Sequence, residues 1–338
     1  MIIQKNISLK PYNTFGIDAK AAEFVEIKTE GKIVELIKSG VLAGKKSLIL
    51  GGGSNIVFTQ DYDGLVVHMA TKGIEFVEDQ GETSLLAAQA GEVWSDFVHQ
   101  TISQGYSGLE NLAGIPGTVG AAPVQNVGAY GREAKDVIHS VKCYDIETGE
   151  TRIFANEECR FGYRNSIFKQ ECAGRYIVAS VTFRLSKRHN PNIEYKALKD
   201  TLAGKGITNP TPREIAQTIT EIRDAKLPKP EETGSAGSFF KNPVVSASLH
   251  DQIKEEHPNL VSFVVDDDHY KLAAGWLIEQ CGWKGRGIGN AGVYAKQALV
   301  LVNNGGCTGK EVTTLSNAII ADVEAKFGVT LTPEAIII

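Results

Sequence analysis

Hydrophobic and polar residues follow one another in short blocks, and the period of each block predicts an element. Phe24-Val-Glu-Ile-Lys28 alternates as a strand does. Ile33, Leu36 and Ile37 recur at helical spacing, and Ser47-Leu-Ile-Leu50 is a short apolar strand. Further strands are predicted at 56–58, 64–69, 74–78 and 84–89, and a helix at 93–104. No period holds from 105 to 131. Residues 136–154 have the pattern of a hairpin turning at Glu147-Thr-Gly-Glu150, and 175–186 that of another strand.

The polar stretch 187–210, broken by Pro191 and Pro210, reads as an insertion or linker. Thr211-Pro-Arg-Glu214 then opens a helix as a capping box with proline at the first helical position. Ile215, Ile219 and Ile222 continue its apolar stripe, and Pro228 and Pro230 end it near a candidate domain boundary. Helices follow at 246–257, 271–281 and 309–327, with a strand at Ala298–Asn303 and a strand-like tail at 329–338. Thr308-Gly-Lys-Glu311 is a second capping box, ahead of Val312, Leu315, Ile319, Val323 and Phe327 on one helical face.

Composition narrows the function classes. With 42% hydrophobic and 22% charged residues in 338, the chain is globular rather than disordered, coiled-coil or a membrane bundle. The longest apolar candidate, Leu272 to Ile278, falls far short of the roughly 20 residues of a membrane span and reads as a core helix. Lys+Arg 35 against Asp+Glu 40 gives a net charge of −5 with no basic run, so no nucleic-acid partner is expected. An anionic small molecule stays open, because a local site need not follow net charge. The five cysteines include no C-x-x-C pair, and the N-terminal residues MIIQKNISLKPYN lack the features of a signal peptide. A reduced, cytoplasmic protein is expected.

Glycine changes the picture most. The chain has 35, clustered at Gly51–Gly53, between Gly105 and Gly131, and between Gly282 and Gly292. Glycine clusters mark tight turns or backbone that touches something closely. Leu48-Ile-Leu-Gly-Gly-Gly-Ser-Asn55 runs from strand into a glycine turn without the helix of a dinucleotide fingerprint or the Gly-Lys-Ser/Thr of a P-loop. Its backbone N–H groups suit a pyrophosphate; a plain tight turn is the alternative. Gly287-Ile-Gly-Asn-Ala-Gly292 matches G-x-G-x-x-G, yet it follows a helix, so close backbone packing is the better reading.

The stretch from Asn111 to Gly131 is uncharged and rich in Gly, Ala and Pro. It is too small-sided to fill a core, and its backbone could lie flat against a large planar ligand; a ligand platform outranks a linker. Cys159-Arg-Phe-Gly-Tyr-Arg-Asn-Ser166 and Gly234-Ser-Ala-Gly-Ser-Phe-Phe-Lys-Asn-Pro243 each add polar groups, and Glu334 stands in an apolar tail whose isoleucines should desolvate it. Taken singly these are an ordinary arginine, turn serine and terminal glutamate. The seven histidines show no metal-ligand spacing, so no metal is expected.

Taken in order, these segments resemble the UDP-N-acetylenolpyruvoylglucosamine reductase family of flavoenzymes. The match runs through Asn13-Thr-Phe-Gly16, Gly51-Gly-Gly-Ser-Asn55, Gly108-Leu-Glu-Asn-Leu112, Ile115-Pro-Gly-Thr-Val-Gly120 and Gln125-Asn-Val-Gly-Ala-Tyr-Gly131. It continues through Cys159-Arg-Phe-Gly-Tyr-Arg164, Lys226-Leu-Pro228 and Gly237-Ser-Phe-Phe-Lys-Asn-Pro243 to Pro333-Glu334. Ile193-Glu-Tyr-Lys-Ala-Leu198 resembles the family's longer type, in which a tyrosine-bearing loop closes over substrate.

The resemblance implies an α+β fold, an FAD-binding fold of the vanillyl-alcohol-oxidase/PCMH type with a separate α/β substrate-binding domain. The division expected is 1–70 with 329–338, then 71–222 with an insertion about 187–210, then 223–328. The implied reaction is NADPH-dependent, FAD-mediated reduction of UDP-N-acetylglucosamine enolpyruvate to UDP-N-acetylmuramate, in peptidoglycan precursor synthesis, by a cytoplasmic monomer. Arg164, Ser238 and Glu334 match the catalytic positions, with Ser238 as proton donor. Cofactor positions are Gly51, Gly52, Gly53, Ser54, Asn55, Ile115, Pro116, Gly117, Gly120, Ala121, Gly128, Tyr130 and Gly131. Tyr163, Tyr195, Lys226, Asn242 and Gln297 match positions that hold substrate.

Tyr294 stands where family members often carry histidine, and Ile336 where they carry a basic or polar residue. A related flavin oxidase is one alternative; such enzymes usually tether FAD through histidine, and none lies in 51–58 or 105–131, so noncovalent FAD is expected. A catalytically inactive UDP-sugar binder is the other, and retention of Arg164, Ser238 and Glu334 argues against it. Tyr195, in a polar, proline-bounded insertion, suits a mobile lid.

Overall fold

In the computed structural model, which describes residues 1–229 and 231–338, the N-terminal periods give strand, helix and strand in turn. Lys20–Ile27 is a strand, Glu30–Lys38 a helix burying Ile33 and Leu36, and Ser47–Leu50 a strand. Both strands pair in parallel with Tyr62–Met69, Val25 and Ile49 each opposite Val67. Gln4–Ser8 completes this four-stranded sheet at the edge beside Lys20–Ile27. Leu65, Val66 and Val67 are all buried, the continuous apolar run of a strand covered on both faces.

A second, five-stranded sheet is antiparallel, in the order Thr151–Ala155, Ile138–Asp145, Tyr176–Ser186, Thr83–Gln89, Ile74–Asp79. Helix Trp94–Ser103 lays Trp94 and Phe97 on Phe183 of the central strand, with ring centroids 5.9 and 4.8 Å away. Glu30 accepts hydrogen bonds from Lys142 and Tyr144, tying the first helix to this sheet. These elements share one core and form a unit made of Met1–Ile7, Ala21–Gly52 and Tyr62–Ala225.

The other unit comprises Ser8–Lys20, Gly53–Asp61 and Lys226–Ile338. Its main sheet orders Gly234–Ser238, Val300–Asn303, Ala291–Val293 and Gly287–Ile288. A three-stranded sheet of Val244–Ser246, His269–Leu272 and Ser262–Val264 carries helix Ala247–Glu256. Helix Gly309–Phe327 begins with the expected capping box between Thr308 and Glu311 and buries Val312, Leu315, Ile319, Val323 and Phe327. Each such side chain contributes about 1.5–3 kcal/mol of burial.

Four expectations are corrected. The insertion 187–210 is no linker: it contains helix Lys196–Gly204, whose Leu198 and Leu202 join the core of the first unit. Two leucines four apart were signal enough, but lysines around them disguised the stripe. The Asn111–Gly131 stretch does fill a core, because Leu112, Ala113, Val119, Ala122 and Val127 are buried. Small neighbours let its backbone come close, as where Trp94 Nε1 donates to Leu112 O at 2.9 Å. The element predicted at 271–281 divides into strand His269–Leu272 and helix Ala274–Gln280. Asn242 Oδ1 accepts from Ala274 N at 3.0 Å, and that bond sets where the helix starts. In the tail only Ile336–Ile337 is strand, paired in parallel with Ile56–Val57, and both isoleucines are more than 40% exposed. Glu334 itself is half-buried. Of the two prolines expected to end helix Pro212–Lys226, Pro230 lies outside the described residues.

Candidate functional site

The two glycine-rich loops of the first unit meet backbone to backbone. A Cβ at Gly51 would fall 2.4 Å from Thr118 Oγ1, and one at Gly52 would fall 3.2 Å from Gly117 Cα. Gly120 lies against Ala90, where a Cβ would come within 2.6 Å of the Ala90 Cβ. No larger residue fits Gly51 or Gly120. Ile115 packs on the core, Pro116 is exposed, and Ala121 sits half-buried in the 3-10 turn Val119–Ala121. The Thr118 hydroxyl oxygen is buried and has no hydrogen-bond partner among the described residues.

Arg164 adopts a left-handed backbone, φ 53°, at the tip of a tight turn in which Gly162 and Asn165 exchange backbone hydrogen bonds. Its Nη2 donates to Gly128 O at 2.8 Å, and its guanidinium lies 5.6 Å from the Tyr163 ring centroid. A Cβ at Gly128 would come 3.3 Å from Arg164 Nη1, so glycine there keeps the guanidinium's space clear. Asn126 secures the turn, donating to Gly162 O and to Glu133 while its Oδ1 accepts from Lys135 N. Such fixed orientation is what a charge-stabilising arginine needs.

Tyr195 immediately precedes helix Lys196–Gly204, and its ring packs edge-on against Tyr130 at 5.1 Å. Burial pushes the Tyr130 phenol up, while Arg223, in hydrogen-bond reach, draws it back. Arg223 in turn donates to Gly114 O at 2.9 Å, and burial pushes its own pKa down. Asn111 Nδ2 bridges Tyr130 O and Asn192 O, and Asn192 Nδ2 donates to Gly131 O. His189 Nε2 donates to Pro210 O at 2.6 Å, while Ser107 lies 3.2 Å from its Nδ1. The segment 187–210 is therefore fastened at its start, at its end and on the loop beneath Tyr195.

The second unit gathers Asn55, Ser238 and Glu334 along one backbone ladder. Strand Gly234–Ser238 pairs Ser235 with Val302 but Ser238 with Val300, a bulge carried by Gly237 at φ 68°. Bulges of this kind re-aim a side chain. Next to it Phe239 O accepts from Glu334 N at 2.7 Å, and Lys241 N donates to Thr332 O. Asn55 Nδ2 donates to Glu334 O at 3.2 Å, and Ile336 N donates to Asn55 O. Ser54 is half-buried beside them. Gly53 has φ 61°, and a Cβ there would overlap Tyr12 O at 2.0 Å.

The positions expected to hold substrate in the second unit carry structural roles of their own. Asn242 caps helix Ala274–Gln280 through its Oδ1, and Gln297 Oε1 accepts from Leu299 N in the turn that returns Val300 to Tyr294. Lys226 is exposed at the last position of its helix. The G-x-G-x-x-G run is the hairpin Gly287–Ile288/Ala291–Val293, and a Cβ at Gly287 would strike Ala291 O at 2.3 Å. It is close packing, as expected. Among the described residues no three His, Cys, Asp or Glu side chains form a metal cluster. All five cysteines are free, and burial pushes Cys159 and Cys307 up to about 12, which makes them packing residues rather than nucleophiles.

UDP-N-acetylenolpyruvoylglucosamine reductase from Pseudomonas putida KT2440 is 47% identical over 331 residues, 98% of this chain and 97% of that protein. The chain belongs to the UDP-N-acetylenolpyruvoylglucosamine reductase family. The protein of the same name from Bdellovibrio bacteriovorus HD100 is 46% identical, with 99% of each chain covered. The family model described as the UDP-N-acetylenolpyruvoylglucosamine reductase C-terminal domain matches residues 229–338, and the one for an FAD binding domain matches 21–154. In fold, the crystal structure of UDP-N-acetylenolpyruvylglucosamine reductase (MurB) from Thermus caldophilus aligns with a TM-score of 0.68 over 99% of both chains, at 24% identity. The α+β FAD-binding fold expected from the sequence is thus the fold present.

The residues present fit FAD. Gly51, Gly52 and Gly117 bring bare backbone together, a cradle that side chains would fill. Sequence reasoning had passed over Thr118, Asn111, Asn126, His189 and Arg223. Each stood inside or beside a segment already singled out, but its role depends on a partner up to 109 residues away, as with Arg223 and Gly114.

Proposed function

We infer that this chain is a flavin-dependent oxidoreductase that reduces UDP-N-acetylglucosamine enolpyruvate to UDP-N-acetylmuramate with NADPH. The observation that carries it is the family membership over almost the whole chain, joined to a glycine cradle that suits FAD. Bound there, FAD would supply hydride transfer from NADPH to the terminal vinyl carbon of the enolpyruvyl ether. Negative charge then grows on the neighbouring carbon and its carboxylate. Arg164, oriented by Gly128 O, is the residue for stabilising that carboxylate as the charge builds; Glu334, its backbone held by Phe239 O and Asn55, can join it only as a neutral acid that donates a hydrogen bond. Ser238, re-aimed by the bulge at Gly237, gives a proton to the carbon that bears the charge.

Gly51 to Asn55, the loop at Ile115, Pro116, Gly117, Gly120 and Ala121, and Gly128, Tyr130 and Gly131 would hold the cofactor. Tyr163, Tyr195, Lys226, Asn242 and Gln297 would hold the UDP-sugar. This reading keeps the division into 1–70 with 329–338, 71–222 and 223–328; the pairing of Ile336–Ile337 with Ile56–Val57 supports joining the tail to the N-terminal part. It also takes the protein as a cytoplasmic monomer without nucleic-acid or membrane partners. Free cysteines and a net charge of −5 support that, and among the described residues no helix is long and apolar enough to cross a membrane.

The deciding experiment is anaerobic. Purified protein should show an oxidised-flavin spectrum, bleach with NADPH, and regain its colour when the enolpyruvyl substrate is added. A protein that cannot be reconstituted with FAD sinks the reading. A flavin that NADPH bleaches and only oxygen restores favours an oxidase.

A further inference from the structure

Thr14 belongs to a segment wedged between two parts of the second unit. On one side lies the turn Gly53–Asn55, where a Cβ at Gly53 would fall 2.0 Å from Tyr12 O. On the other lies strand Gly234–Ser238, where a Cβ at Gly234 would fall 2.2 Å from Phe15 O. Bare glycine backbone on both faces leaves the segment little room to shift. The buried Asn13 closes its loop, donating to Leu9 O and Ile17 O and accepting from Ile17 N. Asn303 Nδ2 fastens Phe15 O at 3.0 Å. Thr14 itself bonds to either side. Its N donates to Gly53 O at 3.1 Å and its O accepts from Ser235 N at 3.0 Å. Its hydroxyl donates to Ser235 O at 2.7 Å, with Gly53 O 3.5 Å away. The strand is thereby pinned on both sides of its bulge, at Ser235 by Thr14 and beyond it by Phe239 N, which donates to Leu299 O at 2.8 Å. Ser238 lies between those two points.

We propose that Thr14 is a positioning residue for proton delivery: its hydroxyl holds strand Gly234–Ser238 to the turn Gly53–Asn55 and so sets where the Ser238 hydroxyl stands. This rests on the reading of Ser238 as proton donor given above. A bulge takes its residues out of the ladder, so the direction of the side chain beside it depends on what holds the strand at either end. An error of about 1 Å in placing a reacting group costs up to about 10²-fold in rate. Valine keeps the shape of threonine and both main-chain bonds and removes only the hydroxyl, whereas serine keeps that bond too.

The test compares the unsubstituted full-length chain, loaded with FAD, with Thr14→Val, Thr14→Ser, Ser238→Ala and the double variant Thr14→Val/Ser238→Ala. Thr14→Val should slow reoxidation of the reduced flavin by the enolpyruvyl substrate about 10-fold or more, with a larger solvent deuterium isotope effect on that step, and leave reduction by NADPH within about 2-fold. Thr14→Ser should stay within about 3-fold in both half-reactions, since the hydrogen bond is retained. Adding Thr14→Val to Ser238→Ala should cost less than about 2-fold more, because its route runs through a hydroxyl already removed. In the flavin-free chain, Thr14→Val should quicken amide hydrogen exchange in strand Gly234–Ser238 and leave helix Gly309–Phe327 protected. Reoxidation by Thr14→Val within about 3-fold of the unsubstituted rate overturns the proposal, as does unchanged exchange in the strand or an unchanged isotope effect on a slowed step. An equal loss in both half-reactions, a loss that multiplies fully in the double variant, or a Thr14→Val chain that fails to fold or to hold FAD also overturns it and makes Thr14 a fold or cofactor residue. If Ser238→Ala itself reoxidises within a few-fold of the unsubstituted chain, the proton-donor reading fails, and this proposal with it.

Discussion

Ser238 is a weak acid asked to protonate one face of a carbanion-like centre, so its position must supply what its chemistry lacks. A turn-capping role is not seen: Ser238 ends strand Gly234–Ser238, and among the described residues its hydroxyl makes no hydrogen bond within the chain. Ser238→Ala should therefore keep its melting temperature, its FAD and its reduction by NADPH. Only reoxidation by the enolpyruvyl substrate should fall, by about 10²-fold or more if proton transfer is general-acid assisted. Stopped-flow measurement of the two half-reactions separates these steps. Survival of the second within a few-fold would give the proton to water or to Glu334.

Among elements, the insertion 187–210 departs most from its sequence-based description. Polar composition predicted a mobile piece, yet Leu198 and Leu202 anchor it to a core and His189 joins its start to its end. Its Nε2 donates to the Pro210 carbonyl, and its Nδ1 lies 3.2 Å from the Ser107 hydroxyl. His189→Ala removes both bonds and should loosen Tyr195 from Tyr130. Each such bond is worth about 1 kcal/mol, so the KM for the enolpyruvyl substrate should rise about 5- to 30-fold. NADPH reduction of the flavin should hold, as it should in Tyr195→Ala. Stopped-flow rates for both half-reactions check this, and equal damage to both would make the segment a fold element alone.

For the whole molecule, the FAD reading carries a chemical constraint and a thermodynamic one. Neither glycine loop contains a histidine or cysteine, so no tether is at hand. Acid precipitation should leave the yellow colour in the supernatant, and colour in the pellet would contradict noncovalent binding. Cofactor that binds only the folded chain also stabilises it, by about 2.7 kcal/mol at a hundredfold excess over Kd. Stripping the flavin should lower the melting temperature, and adding FAD back should restore it.

The local grammar of this chain was legible without coordinates. Capping boxes at Thr211 and Thr308, the stripe from Val312 to Phe327 and the hairpin about Glu147 depend on residues within a few positions of one another. The glycines singled out at 51–53 follow the same logic, since a missing side chain announces close contact even when the contact is unknown. Which contact it is came only from tertiary structure. Gly53 is needed because of Tyr12, Gly309 because of Phe58 and Gly51 because of Thr118, and the first two lie 41 and 251 positions from their partners. Asn242 and Gln297, read as substrate positions, also hold a helix start and a turn, roles no spacing reveals. Thr118 looked like one more small residue in a run of glycines. Only packing shows that its hydroxyl is buried and unpaired, because hydrogen-bond satisfaction is decided by what surrounds an atom in space rather than by what precedes it along the chain.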